Sequence, residues 1–296
     1  MTRCMIVITI LLSSLASPAW AESSWNELEQ RCWNSYQAKR TSLSYELSLS
    51  EVRFANLWDG QRVLSPFKVA FAVRGMGVTP AKVPVKNTGH HHLLVNQDLP
   101  ANVREDLPFN DNHRHFGKGQ TSTVLDLPPG KHRLRLLFAD ADHVPFFVYS
   151  RQITVEVLAR RSDAKAAQLP RVIPDDFVKS CALWYENLVT RPDPQGKPAY
   201  FLNLREGDEL SSPFRLMMGV EGYGVCSADA KVENTGHFAL DLLQNGRPVQ
   251  KWVLRGGQTE MDATLAPGKY TLNLQLRASD GRPLGIAETV SFTVKK

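Results

Sequence analysis

Residues 54–95 and 201–242 align without a gap at a shift of 147, with Ser65-Pro66-Phe67 over Ser212-Pro213-Phe214 and Asn87-Thr88-Gly89-His90 over Asn234-Thr235-Gly236-His237. After a shortening in the second copy the match resumes at a shift of 138. There Gly119-Gln120-Thr121 lies over Gly257-Gln258-Thr259 and Pro129-Gly130-Lys131 over Pro267-Gly268-Lys269. A chain of this kind must fold into one unit built twice, and the duplication is an internal control: what both copies keep is scaffold, and what one copy alone keeps is a candidate for function. Seven of the eight histidines fall in the first copy.

The repeated unit reads as strands. Phe67, Val69, Phe71 and Val73 alternate with Lys68, Ala70, Ala72 and Arg74, and the second copy follows with Phe214, Leu216, Met218 and Val220. Period-two alternation marks a strand with one buried face. Leu134, Leu136 and Phe138 repeat the pattern, and Pro129-Gly130 and Pro267-Gly268 punctuate the turns before these strands. The expected fold class is all-β: two tandem antiparallel immunoglobulin-like β-sandwich domains, each with a short helical segment before it. Trp25–Lys39 and Asp175–Val189 carry helical spacing. The expected order is a leader at 1–21, a helical segment at 22–43, the His-rich sandwich at 44–158, a linker with a short helix at 159–198, and the second sandwich at 199–296. Gly75-Met76-Gly77 and Gly222-Tyr223-Gly224 follow a strand but open no helix and lack a third glycine, so they read as turns or bulges and not as a nucleotide loop.

The first 21 residues have the grammar of an export signal: Arg3, the apolar run Met5 to Leu12, and Ala19-Trp20-Ala21 as a small-x-small cleavage site, with cleavage expected after Ala21. That run is too short to span a bilayer, so no transmembrane segment is expected and the address is periplasmic or secreted. Loss of Arg3 takes the net charge from +5 to +4. No dense Lys/Arg block is present, which argues against nucleic acid as a partner. Three cysteines remain, Cys32, Cys181 and Cys226, enough for one disulfide and one thiol. Cys32 and Cys181 precede the two repeats in similar segments and are the expected pair; Cys226 aligns with Thr79, so the scaffold needs no thiol there.

Alternation also gives each histidine a face. In the second copy Phe238, Leu240 and Leu242 define the core side. Transferred to the first copy, that puts His91, Leu93 and Val95 inward and His90, His92 and Leu94 outward. Arg114 and Phe116 lie over the apolar Trp252 and Leu254, so His113 and His115 point outward as well. If 90–95 and 113–116 are neighbouring strands, four outward imidazoles share one sheet face, with cross-strand Cβ atoms about 5 Å apart. His143, in Asp140-Ala141-Asp142-His143, can close the group from the edge. Neutral imidazole is the natural ligand of copper or zinc, so the candidate metal set is His92, His113 and His115, with His90 and His143 as further ligands. Outward histidines also serve as donors to a carboxylate ligand or as plain surface residues, and His90 has a second reading as a turn brace that it shares with His237. His132, over Tyr270, reads as a plug at a strand end. The extra loop Asn96 to Asn112 offers Asp98, Glu105, Asp106 and Asp111.

Asn-Thr-Gly-His-His-His-Leu-Leu at 87–94, His-Arg-His-Phe-Gly-Lys-Gly-Gln-Thr at 113–121 and Leu-Pro-Pro-Gly-Lys-His at 127–132 resemble the DUF4399 family of bacterial exported domains. The second repeat looks like a degenerate member. The resemblance implies a periplasmic address and a β-rich domain, and it supplies no reaction. The family's late motif reads His-x-Pro-His where this chain has His143-Val144-Pro145-Phe146, which removes one of the ligands the family would offer. The functional expectation is a non-enzymatic exported protein that binds copper or zinc through the first repeat. The alternative is a cell-envelope module that recognises a protein, peptide or glycan without metal. A metal-dependent hydrolase is the third reading, since neither a Gly-x-Ser-x-Gly elbow nor a His-Glu-x-x-His helix is present.

Overall fold

The computed structural model describes residues 25–43, 51–100, 102, 107, 109–193 and 197–296; the expected leader lies outside them. The first copy is built of ten strands: Glu51–Phe54 (β1), Arg62–Ser65 (β2), Phe67–Arg74 (β3), Gly77–Val78 (β4), Thr88–Val95 (β5), His113–His115 (β6), Ser122–Leu125 (β7), Gly130–Ala139 (β8), Pro145–Tyr149 (β9) and Ile153–Arg160 (β10). They form a three-stranded sheet in the order β1-β3-β7 and a larger sheet in the order β2-β10-β8-β5-β4, to which β6 adds on β5 and β9 on β8. The second copy repeats the plan with Tyr200–Phe201 (β11), Glu209–Ser211 (β12), Phe214–Gly219 (β13), Gly224–Val225 (β14), Thr235–Gln244 (β15), Arg247–Val253 (β16), Glu260–Ala263 (β17), Gly268–Arg277 (β18) and Glu288–Lys295 (β19). Its sheets run β11-β13-β17 and β12-β19-β18-β15-β14, with β16 on β15. Two tandem sandwiches are thus present. They are not wholly antiparallel, because β2 lies parallel to β10 and β4 to β5, and the second copy repeats both pairings.

The alternating residues go where their spacing sends them. Phe67, Val69, Phe71 and Val73 join Leu93, Leu134, Leu136 and Phe138 in the core of the first unit. The opposite face of β3 is buried too. Ala70 and Ala72 pack with Ala55 against Met217 and Leu202 of the second unit, so small side chains stand there because the two sandwiches dock on that face. His132 plugs a strand end as expected: its Nε2–H donates to the Pro128 carbonyl at 2.9 Å, and Tyr270 donates from its hydroxyl to the equivalent Ala266 carbonyl at 2.9 Å. Both Ser-Pro-Phe motifs carry a cis Ser–Pro bond, Ser65–Pro66 and Ser212–Pro213.

Helices stand before each sandwich: Glu27–Thr41 (α1), a single turn Ala164–Ala167 (α2) and Phe177–Thr190 (α3), the last entered through a 3-10 turn at Pro174–Asp176. Asn26 caps α1, accepting from the Glu29 amide at 2.9 Å while the Glu29 carboxylate accepts from the Asn26 amide, a reciprocal cap that satisfies two end groups. Helices α1 and α3 share a small aromatic core, with Trp25 against Trp184 at 5.0 Å and Tyr36 stacked on Tyr185 at 4.0 Å between ring centroids. Cys32 and Cys181 are joined within it, and Cys226 is a buried free thiol. The helical pair is tied to both sandwiches: Arg40 donates to the Ala55 carbonyl at 2.7 Å, and the Trp33 indole donates to Asp208 at 2.8 Å.

The Cys32–Cys181 bond spans 149 residues of sequence. Closing so long a loop in the unfolded chain should stabilise the fold by about 2–5 kcal/mol. A Cys32→Ser, Cys181→Ser variant is therefore expected to unfold at lower urea concentration, read by tryptophan fluorescence; an unchanged midpoint would contradict this.

Candidate metal centre

Strand β5 carries Gly89-His90-His91-His92-Leu93-Leu94-Val95 through the middle of the larger sheet, flanked by β8 on one side and by β4 and then β6 on the other. The register sets His92 opposite His115 and Leu94 opposite His113, in antiparallel pairing. Period-two pleating then sends His91 to the core, where its ring lies 5.1 Å from Phe71 and 4.9 Å from Phe138 between centroids. It sends His90, His92, His113 and His115 to the opposite side.

That opposite side is not a solvent face. His90 and His92 are 0 % exposed and His113 is 1 % exposed, which corrects the expectation of outward-facing surface residues. Described residues of the extra loop after β5 and of the β8–β9 turn stand on that side. Leu99 and Leu107 from the loop pack with Leu94, Leu137 and Ala139 into a second, minor apolar cluster beside the histidines. The turn adds His143, held by hydrogen bonds from the amides of Asp142 and Val144 to the Asp140 carboxylate, each 2.9 Å, and by its own amide to the Asp140 carbonyl at 3.1 Å.

The side chains converge. One ring nitrogen from each of His90, His92 and His115 lies within 4.8 Å of the other two. The Nε2 atoms of His90 and His92 are 3.0 Å apart and those of His115 and His143 are 3.2 Å apart. Ring centroids of His90 lie 4.9 Å from His115 and 5.0 Å from His143. The five expected site residues are thus brought together, with His113 at the margin: its ring is 5.3 Å from His92, its Nε2 is buried without a partner, and it is outside the three-nitrogen group. His143 has φ +69°, a left-handed conformation that favours glycine. The equivalent residue of the second copy is Gly281, at φ +85°.

Burial sets the charge state. Burial, then the neighbouring charges of His115, His143 and Lys82, pushes His90 down to about 3. His92 falls to about 2, again through burial first and then through His90, His113, His115 and His143. His91 falls to about 3 through burial and then His90. His113 and His115 are lowered by burial and by a neighbouring imidazole, His115 and His143 respectively. These groups are neutral at pH 7, the form in which a ring nitrogen offers its lone pair.

Two contributors were not read from the sequence. Phe109 is 57 % exposed, yet its ring stacks on His115 at 4.6 Å and lies 5.3 Å from His143, roofing the group. Its only sequence signal is its place in the loop that the second copy lacks. Gly117 is the other: a Cβ there would overlap the His115 ring. Of the loop carboxylates, Asp98 pairs with Arg133 at 2.7 Å instead, and Glu105 and Asp106 lie outside the described residues. Phe146, where the family motif would place histidine, packs toward Phe138 and the main core. The second copy shows the scaffold without the group. Ala239 stands opposite Val253 where the first copy has His92 opposite His115, and His237 remains alone of the set.

An unfolded histidine titrates near pH 6.5, whereas the buried His90 and His91 resist protonation down to about 3. The unfolded chain therefore binds more protons throughout that window, and folding stability falls as the pH is lowered through it. Metal-free protein should show a denaturation midpoint that is flat above about pH 6.5 and declines steadily below it. A His91→Phe variant should decline less steeply; a slope identical to wild type would contradict the role of burial at that ring.

The family model for "Domain of unknown function (DUF4399)" matches residues 69–158 and 216–295. No curated protein matches. Among solved structures, the fibronectin(III)-like modules of Clostridium thermocellum CbhA share 10% identity over 82% of this chain and 94% of that one, with a TM-score of 0.24. CopC from Methylosinus trichosporium OB3b shares 18% identity over 30% of this chain and 84% of its own, with a TM-score of 0.19. A two-domain fibronectin type-III segment of chicken tenascin shares 12% over 83% and 98%, with a TM-score of 0.19. Scores of this size carry no argument about the site. The family match covers more than half of the chain, in two copies that coincide with the two sandwiches: the chain belongs to the DUF4399 family.

Proposed function

We propose that the first sandwich binds one transition-metal ion, copper or zinc, through His90, His92 and His115, with His143 as a fourth ligand. The observation that carries this reading is the convergence of three imidazole nitrogens within 4.8 Å on a buried face. Ligand nitrogens about 2.0–2.1 Å from a tetrahedral ion stand about 3.3 Å from each other, and the two Nε2 pairs are already separated by 3.0 and 3.2 Å. His90, His92 and His115 fit in kind as well, their lowered basicity leaving neutral imidazoles that need no proton removed at pH 7. The Nδ1 atoms of His90 and His92 are buried without partners, a desolvation cost carried at this site. When bound, the ion would join the two imidazole pairs that now meet edge to edge. Phe109 would then shield it from water.

The role we assign is binding rather than catalysis, in an exported protein of the periplasm or outside the cell. The buried Cys32–Cys181 bond supports the address, since such bonds persist in oxidising compartments.

Metal-free protein titrated with Zn(II) or Cu(II) and followed by calorimetry should take up one ion per chain. The His92→Ala, His115→Ala double variant should lose more affinity than the roughly 10- to 100-fold that changes beyond the ligand shell cost. His113→Ala should stay within that range. Wild-type affinity in the double variant would remove these residues from the account.

A further inference from the structure

The two sandwiches meet in a seam that repeats itself under exchange of the copies. The Val78 amide donates to the Gly257 carbonyl at 2.7 Å, and its counterpart, the Val225 amide, donates to the Gly119 carbonyl at 2.7 Å. A Cβ on Gly77 would overlap the Gly256 carbonyl oxygen, and one on Gly224 would overlap that of Lys118. Gly119 and Gly257 both sit at φ +78°, each against the facing valine. Thr79 and Cys226, equivalent residues, touch each other at 3.5 Å. Each contact from one copy is returned by the same position of the other, which is the signature of a two-fold, self-complementary interface. Glycine pairs that read as simple turns from the sequence are thus spacing devices for close backbone approach.

The seam runs into the histidine group. His115 ends β6, and the chain turns at Phe116–Gly119, where the Gly119 amide donates to the Phe116 carbonyl at 3.3 Å and the Gly119 carbonyl accepts from Val225. Val220 of the second unit then pins Thr121, its amide donating to the Thr121 hydroxyl at 2.9 Å. Among the described residues, this seam is the hold of the second unit on the turn after His115 that both copies share. We infer that the second sandwich, which holds only His237 of the set, is kept as a built-in second copy of the docking partner, and that Gly224 and Val225 act as positioning residues for His115. The inference that His115 is a ligand rests on the proposed metal function; the positioning itself does not.

The near two-fold supplies its own control. Gly224→Ala pushes on Lys118, beside the His115 turn, whereas Gly77→Ala makes the equivalent overlap on Gly256, in the second unit. In metal-free protein, Gly224→Ala should shift the His115 ring resonances and speed amide exchange at Gly119 and Val225. Gly77→Ala should speed exchange at Val78 and Gly257 and shift the His115 ring less, because its backbone overlap falls on Gly256 of the second unit. Zinc affinity should then fall about 10- to 100-fold in Gly224→Ala, the scale of changes that misplace a ligand, and fall less in Gly77→Ala. Equal His115 shifts in the two variants, or none in Gly224→Ala, would overturn the positioning role. Should Gly224→Ala not fold, wild-type exchange decides: a Val225 amide as fast as an exposed one would overturn the seam. Normal ring shifts with unaltered zinc binding in both would leave the metal reading standing and remove this one.

Discussion

The register between β5 and β6 is the constraint on which the site depends. Because side chains alternate with a period of two, a slip of one residue would turn His90 and His92 into the core and bring His91 and Leu93 to the site. The register is held from both sides of the strand. On the core side Leu93 and Val95 lie among Phe71, Leu134 and Leu136. On the other side Leu94 packs with Leu99, Leu107 and Leu137. Burial on both faces leaves the strand no cheap alternative, and the Val95 amide to the Asn112 carbonyl at 2.8 Å and the Phe116 amide to the His91 carbonyl at 3.0 Å bracket the β6 pairing.

The duplication separates what this scaffold requires from what it carries. The second copy reproduces the strand order, the turn at positive φ between β18 and β19, and the cross-strand pair at Ala239 and Val253, without the imidazoles. A fold that stands with alanine, valine and glycine at positions 239, 253 and 281 does not need three histidines at the equivalent places of its twin. Four neighbouring imidazoles cost desolvation, and His143 adds a left-handed backbone that Gly281 adopts freely. The first copy bears these costs, as a ligand site would.

Much of this was legible in the sequence, for identifiable reasons. Alternation fixed which residues share a face, because Phe238, Leu240 and Leu242 of the second copy calibrated the first. Similar segments before each repeat pointed to Cys32 and Cys181. What alternation cannot say is whether the far face meets water. His90 and His92 are fully buried, with Phe109 and His143 set against their rings, and such placement of loop residues leaves no periodic trace. Phe109 was missed for the same reason. The glycine pairs read as local turns because their main demand, backbone against backbone across the seam, comes from a segment more than a hundred residues away.

The central claim is that this face holds an ion by imidazole alone. X-ray absorption spectroscopy of the zinc- or copper-loaded protein tests it most directly. The account predicts a first shell of three to four nitrogens at about 2.0–2.1 Å with the outer-shell scattering of imidazole rings. A shell dominated by sulfur or carboxylate oxygen, or an imidazole count unchanged when His92 and His115 are replaced, would contradict it.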